Sequence, residues 1–262
     1  MILSKTKSFY KSPFLYLDQE YFLGKYKAVF KTACEDPWIM SSRISLHPLK
    51  EFIVCVHIKL YSPYGPWTAY VYNQETSHSN LSAHKYDLGL TGDHGKLRIW
   101  LFGKQIYTTA RLHENTWNKI CIQWKSEDQE MKVFINETTK VTRKLPGKVN
   151  FPGKGQFSLG CSKLPGTAMS RHLGMTGELY LFRMWDKANI KQSLDCEDSG
   201  VIRWRKEDWV YNKTVEEDNS LPCGKYHCTP IFKKVFWSKV DLNVSNISVL
   251  DFAKSSLLVI SS

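Results

Sequence analysis

Short runs of period-two alternation constrain this chain more than any other feature. Phe52, Val54, Val56 and Ile58 share one side of a run in which Cys55 and His57 share the other. Trp67–Tyr72, Trp117–Trp124, Met131–Asn136 and Gln156–Leu159 read the same way, and Gly160 stops the last of them. From Glu178 the pattern resumes, with Leu179, Leu181 and Met184 on one face and Tyr180, Phe182 and Trp185 on the other. Alternation of this kind, punctuated by Gly and Pro, is the mark of half-buried strands. Bulky groups on both faces of the run after Gly177 place it inside a two-sheet sandwich. Between strands, Tyr61–Pro66 reads as a turn, and Gly92-Asp93-His94-Gly95 supplies the left-handed positions of a hairpin. The one helical stretch is Lys187–Leu194, with Ile190 and Leu194 as its buried stripe.

The seven cysteines are an odd count: Cys34, Cys55, Cys121, Cys161, Cys196, Cys223 and Cys228. In an oxidising compartment that allows three bridges and leaves one thiol over. Five of the eleven asparagines lie in glycosylation sequons, namely Asn80, Asn136, Asn212, Asn243 and Asn246. Residues 1–18 contain no apolar core of about 7–15 residues, so no secretory signal is read there. No apolar run is long enough to span a membrane. These observations favour a piece of a secreted or cell-surface protein over a cytosolic one with accidental sequons.

A net charge of +11 suits anionic partners such as sulfated glycans, or simply a solubilising surface. Lys140, Arg143, Lys144, Lys148 and Lys154 crowd one segment and form the candidate anionic-glycan patch, with a solvated loop as the alternative. No nucleic-acid motif is present. Glu127, Asp128 and Glu130 lack the spacing of a glycosidase carboxylate pair and read as a hairpin tip. Asp87, Asp93 and His94 read as turn residues rather than a metal set, and Cys223, His227 and Cys228 match a zinc site poorly. No catalytic residues are assigned.

Ser158-Leu159-Gly160, a loop, and then Gly-Glu-Leu-x-x-Phe-x-Met-Trp-Asp at residues 177–186 resemble the C-terminal half of a pentraxin domain. The Trp67-Thr68-Ala69-Tyr70 run and the Asp87–His94 hairpin are similar to the pentraxin-like domains of adhesion G-protein-coupled receptors of subfamily G. So is the array of Cys196, Gly200-Val201-Ile202-Arg203-Trp204, Trp209 and Cys223. The resemblance implies an all-β fold, a two-sheet antiparallel jelly-roll sandwich of pentraxin and laminin-G type with one short helix. It implies three regions: a variable segment over 1–27, the pentraxin-like domain over 28–225, and a linker or ectodomain edge over 226–262. It implies bridges Cys55–Cys121 and Cys196–Cys223, and supplies no partner for Cys34, Cys161 or Cys228. In calcium-binding pentraxins a Glu-Gln-Asp cluster follows the Leu-Gly turn; the matching positions here are Cys161, Ser162 and Lys163. Calcium needs six to eight oxygen ligands, so no cofactor is expected, and Asp87, Asp93 and Glu178 are left as candidates for a weak site elsewhere.

The resemblance therefore implies a non-catalytic extracellular recognition or adhesion module of an adhesion receptor. Its expected partner is an extracellular protein or an anionic glycan, with homodimerisation open. The alternative is a secreted pentraxin-like lectin that binds glycans or phosphorylated headgroups through calcium.

Overall fold

The computed structural model describes residues 22–74, 86–147, 149–162, 173–193, 196, 199–212 and 214–224. The chain divides into two compact units, Met1–Tyr226 and His227–Ser262. The second lies outside the described residues, and with it Cys228, His227 and the sequons at Asn243 and Asn246.

The first unit is a sandwich of two seven-stranded antiparallel sheets. One sheet runs through β3 (Glu51–Leu60), β8 (Asn118–Lys125), β9 (Glu130–Ile135) and β10 (Thr138–Lys144) to one edge. On its other side β3 meets β12 (Gly177–Trp185), then β1 (Tyr26–Phe30) and β14 (Val215–Glu217). The second sheet orders β13 (Trp209–Val210), β2 (Trp38–Met40), β11 (Gly155–Leu159), β4 (Trp67–Gln74), β5 (Leu88–Asp93), β6 (Lys96–Leu101) and β7 (Lys104–Arg111). The core forms where the two apolar faces meet. Phe52, Val54, Val56 and Ile58 are all completely buried there, as alternation requires. Phe182 shows how the layers interlock, with its ring 5.0 Å from Tyr70, 5.1 Å from Phe157 and 5.4 Å from Trp209.

Register slips at several bulges, and the one in β12 changes which side chains face the core. In β12 the register against β3 slips between Tyr180 and Arg183, where Leu181 takes a left-handed φ of 54°. This β-bulge shifts parity by one residue. Phe182 therefore takes the same side as Leu179 and Met184, while Tyr180, Arg183 and Trp185 pair with His57, Cys55 and Ile53 on the other side, where Tyr180 is still fully buried within the main core cluster. The expected grouping of Phe182 with Tyr180 and Trp185 is corrected.

Two further readings change. The helix expected over Lys187–Leu194 is a single 3-10 turn at Ile190–Ser193, and another covers Lys206–Asp208. Within segment 1–27, Tyr26 and Lys27 begin β1, Leu23 is buried, and its N–H donates to the Trp204 carbonyl at 2.9 Å. Gly92 is not a turn residue. It pairs with Trp67 within the sheet, and a Cβ there would come 2.2 Å from the Trp67 ring. The turn itself is His94-Gly95, with φ of 50° and 72°, the double left-handed pair of a tight hairpin.

The bridges Cys55–Cys121 and Cys196–Cys223 are present, and Cys34 pairs with Cys161. Cys34 and Cys161 lie 127 residues apart in sequence, and nothing local to either one signals the other.

Candidate functional site

Where calcium-binding pentraxins begin their metal cluster, this chain places a covalent tie. Cys161 is fully buried and bonded to Cys34, so its sulfur is not free to act as a ligand. Ser162 is buried too; its Oγ accepts from the Leu173 N–H at 2.8 Å and its carbonyl accepts from the Tyr86 hydroxyl at 3.3 Å. Lys163 lies outside the described residues.

The remaining acidic candidates do not converge. Asp87 precedes β5 and Asp93 ends it, about 20 Å apart at the usual rise per residue. Asp87 accepts from the Gln74 N–H at 2.8 Å, and burial pushes its carboxyl above the ordinary range, partly opposed by that bond. Asp93 is taken by Arg98 at 2.8 Å and His94 at 3.0 Å. Glu178 sits among Lys27 and Lys59, each at 2.7 Å, and accepts from the Tyr61 hydroxyl at 3.0 Å. Burial raises its pKa, but these donors outweigh burial and hold the carboxyl below its usual value. Glu130 is paired with Lys132 and Asp128 with Lys125 at the hairpin tip. Among the described residues, no three His, Cys, Asp or Glu side chains gather as a metal would require.

The basic residues separate as well. Lys140, Arg143 and Lys144 stand exposed on β10, an edge strand of one sheet. Lys154 precedes β11, an inner strand of the other, and Lys148 lies outside the described residues. Asn136 is exposed in the β9–β10 turn, and its Oδ1 accepts from the Lys119 N–H at 2.9 Å. Asn212 is exposed and donates to Asp36 at 2.9 Å. Asn80 lies outside the described residues.

A concave feature lies on the outer face of the second sheet. Pairing registers set Thr68, Thr91, Arg98 and Tyr107 in one cross-strand row over β4, β5, β6 and β7. The adjoining row carries Val71, Gly89, Trp100 and Gln105. Tyr86 stands edge-on to Trp100 with ring centroids 5.4 Å apart, and the two help wall a cleft of about 210 Å³. The cleft is further lined by Thr68, Arg98, Gln105 and Leu173. Composition gave no hint of it, but one local signal existed. Leu97, Ile99 and Leu101 take the inward parity of β6, which leaves a large aromatic, Trp100, on the polar parity.

A family profile described as the concanavalin A-like lectin/glucanases superfamily matches residues 35–192, more than half of the chain. The chain belongs to the concanavalin A-like lectin/glucanase superfamily. The chain is also similar to the adhesion G-protein coupled receptor G4 of Homo sapiens, 25% identical over 180 residues, or 67% of this chain and 6% of the receptor. The Mus musculus receptor G4 is 26% identical over 161 residues, 60% of this chain and 5% of the receptor. The chain thus spans a small part of the curated relatives it matches. The full extracellular region of zebrafish Gpr126/Adgrg6 superposes with a TM-score of 0.61 at 16% identity, over 75% of this chain and 27% of that one. A SAP-like pentraxin from Limulus polyphemus superposes at 0.56 and 16% identity, over 73% of this chain and 93% of that one. At these identities the two structures establish the shared fold. The resemblance to pentraxin-like domains of adhesion receptors holds at both the sequence and the fold level.

Proposed function

We propose that this chain is a non-catalytic extracellular recognition module of an adhesion receptor, working without calcium. Homology to receptor G4 and three disulfides support the extracellular recognition role. The observation that carries the calcium-free reading is Cys161, which stands where the resemblance places the first metal-binding carboxylate and is bonded to Cys34. Glu178, the most buried acid near that end of β12, already has two ammonium partners. Tight calcium sites depend on the charge and number of their oxygen ligands. The same pairing of acids argues against a carboxylate-based hydrolase, since Glu130 and Asp128 face lysines across a solvated turn.

The test is a calorimetric titration of the secreted chain, with thermal melts in chelator and in millimolar calcium. Superimposable melts and no binding heat are expected. A rise of several degrees, or a dissociation constant below about 100 μM, would overturn the reading in favour of a calcium-dependent lectin.

A further inference from the structure

We propose that the open edge of β10 takes up an acidic, extended segment of a partner protein, which joins the first sheet as a further strand. The proposal rests on the recognition reading above and gives it a surface. Its first support is the state of the edge. β10 closes one side of its sheet, and within Thr138–Lys144 only Val141 is buried. Just past the strand, the Leu145 N–H donates to the Gln129 carbonyl at 2.9 Å. Antiparallel bonding alternates along a strand, so Val141 and Arg143 bond inward to β9. Thr142 and Lys144 then turn their N–H and C=O groups outward, away from β9. Such a row of open backbone groups is a template for another strand.

The second support is charge, which also selects the occupant. Lys140 and Arg143 are exposed and have no acidic partner among the described residues. Lys144 is exposed too; its Nζ donates to the Asp128 carbonyl at 2.7 Å and lies 3.9 Å from Glu130. Arg143 shares one side of the strand with Val141, and Lys144 lies on the other, so carboxylates on either face of an added strand meet a cation. A second copy is a poor occupant. Pairing β10 with another β10 brings like charges together, which is unfavourable. The acidic edge of the same sheet, β14, is only three residues long, and its Glu217 is already paired with Lys25 at 2.9 Å. β7, an edge of the other sheet, carries its cations only at its two ends, Lys104 and Arg111. With one buried apolar residue, β10 binds through backbone bonds and charge, so salt weakens the contact.

The experiment is amide hydrogen exchange by NMR on the whole secreted chain. The probe is an alternating Glu-Val peptide of seven residues, the length of β10. A fully N-methylated version keeps every carboxylate but has no N–H to pair. The unmethylated peptide should bind, slow exchange at Thr142 and Lys144, and lose affinity as salt rises. Thr142→Pro removes an outward N–H at an edge position, where proline is tolerated, so the melting temperature should hold. Its affinity for the peptide should fall about tenfold, the loss of one hydrogen bond. Changing Lys140 and Arg143 together to Ser should weaken binding about fivefold, the worth of two exposed ion pairs. The proposal is overturned if the peptide leaves exchange at Thr142 and Lys144 unchanged. It is also overturned if the N-methylated peptide and a heparin oligosaccharide bind as tightly as the peptide and Thr142→Pro weakens neither, because charge alone would then hold the ligand. Protection of the same amides that grows with protein concentration, without peptide, would assign the edge to a second copy and overturn it as well. Attachment of the wild-type chain to cultured cells is scored separately. Attachment without peptide binding removes the β10 proposal alone, whereas loss of both removes the recognition reading.

Discussion

Glu178 stays ionised on a buried strand because Lys27, Lys59 and Tyr61 surround it. Replacing it with Gln leaves two partly buried ammonium groups without their counter-charge. That should cost about 2–3 kcal/mol, below the full value for a wholly buried pair because both lysines retain some solvent. Its folded pKa is depressed, so this stabilisation is present above the ordinary carboxylate range and is lost as pH falls through the folded value. His57 acts at higher pH with the same sign. Burial, with Lys119 and Arg183 nearby, pushes its pKa down from 6.5 to about 3. The unfolded chain therefore takes up a proton that the folded one refuses. Stability should fall as pH drops from 6.5 toward 3, by up to about 1.4 kcal/mol per pH unit from this group. Urea unfolding at a series of pH values checks both residues: His57→Gln should flatten the slope above pH ~4.5, where the carboxylates have yet to protonate. A variant as steep as the wild type there would contradict the assignment.

The tight turns are the elements that carry local strain. The β9–β10 hairpin turns through Asn136 and Glu137, with φ of 47° and 67°. Asn tolerates this region and its Oδ1 accepts from the Lys119 N–H, whereas Glu lacks that tolerance and meets Lys119 only through an exposed ion pair. Glu137→Gly should stabilise the protein by about 0.5–1 kcal/mol despite the lost surface contact with Lys119 at 3.7 Å. Chemical denaturation measures it, and a destabilised variant would refute the strain argument. Cys34–Cys161 ties the β1–β2 connection to the end of β11 across 127 residues. Peptide mapping without reduction should recover all three bridges. The double change of Cys34 and Cys161 to Ser should lower stability by about 4 kcal/mol on the chain-entropy view. Free thiols at both positions in secreted protein would show that the tie is not made.

For the molecule as a whole, a net charge of +11 without a gathered basic face among the described residues predicts weak, diffuse attraction to polyanions. Heparin retention of the secreted chain should fall steeply with salt. Changing exposed Lys140, Arg143 and Lys144 to Ser should reduce retention by more than the single change of Lys154, which lies on the other sheet. Equal effects, or retention insensitive to salt, would argue against the β10 edge as the contact.

Alternation in β3 and β8, with bulky groups on both faces of β12, was enough to specify a two-sheet sandwich, because a strand with an apolar face has to bury it against another sheet. The motif around Gly177–Asp186 was also legible, and the family resemblance it carries supplied the pairs Cys55–Cys121 and Cys196–Cys223. Three things were decided only in three dimensions. The bulge at Leu181 reassigns Phe182 to the core, since a one-residue slip exchanges the faces of a strand. Cys34 meets Cys161 because β2 and β11 pair across more than a hundred residues. The cleft is a product of register. Thr68 on β4 and Arg98 and Trp100 on β6 share a surface only because both strands pair with β5, and the one local clue to it is the parity of Trp100.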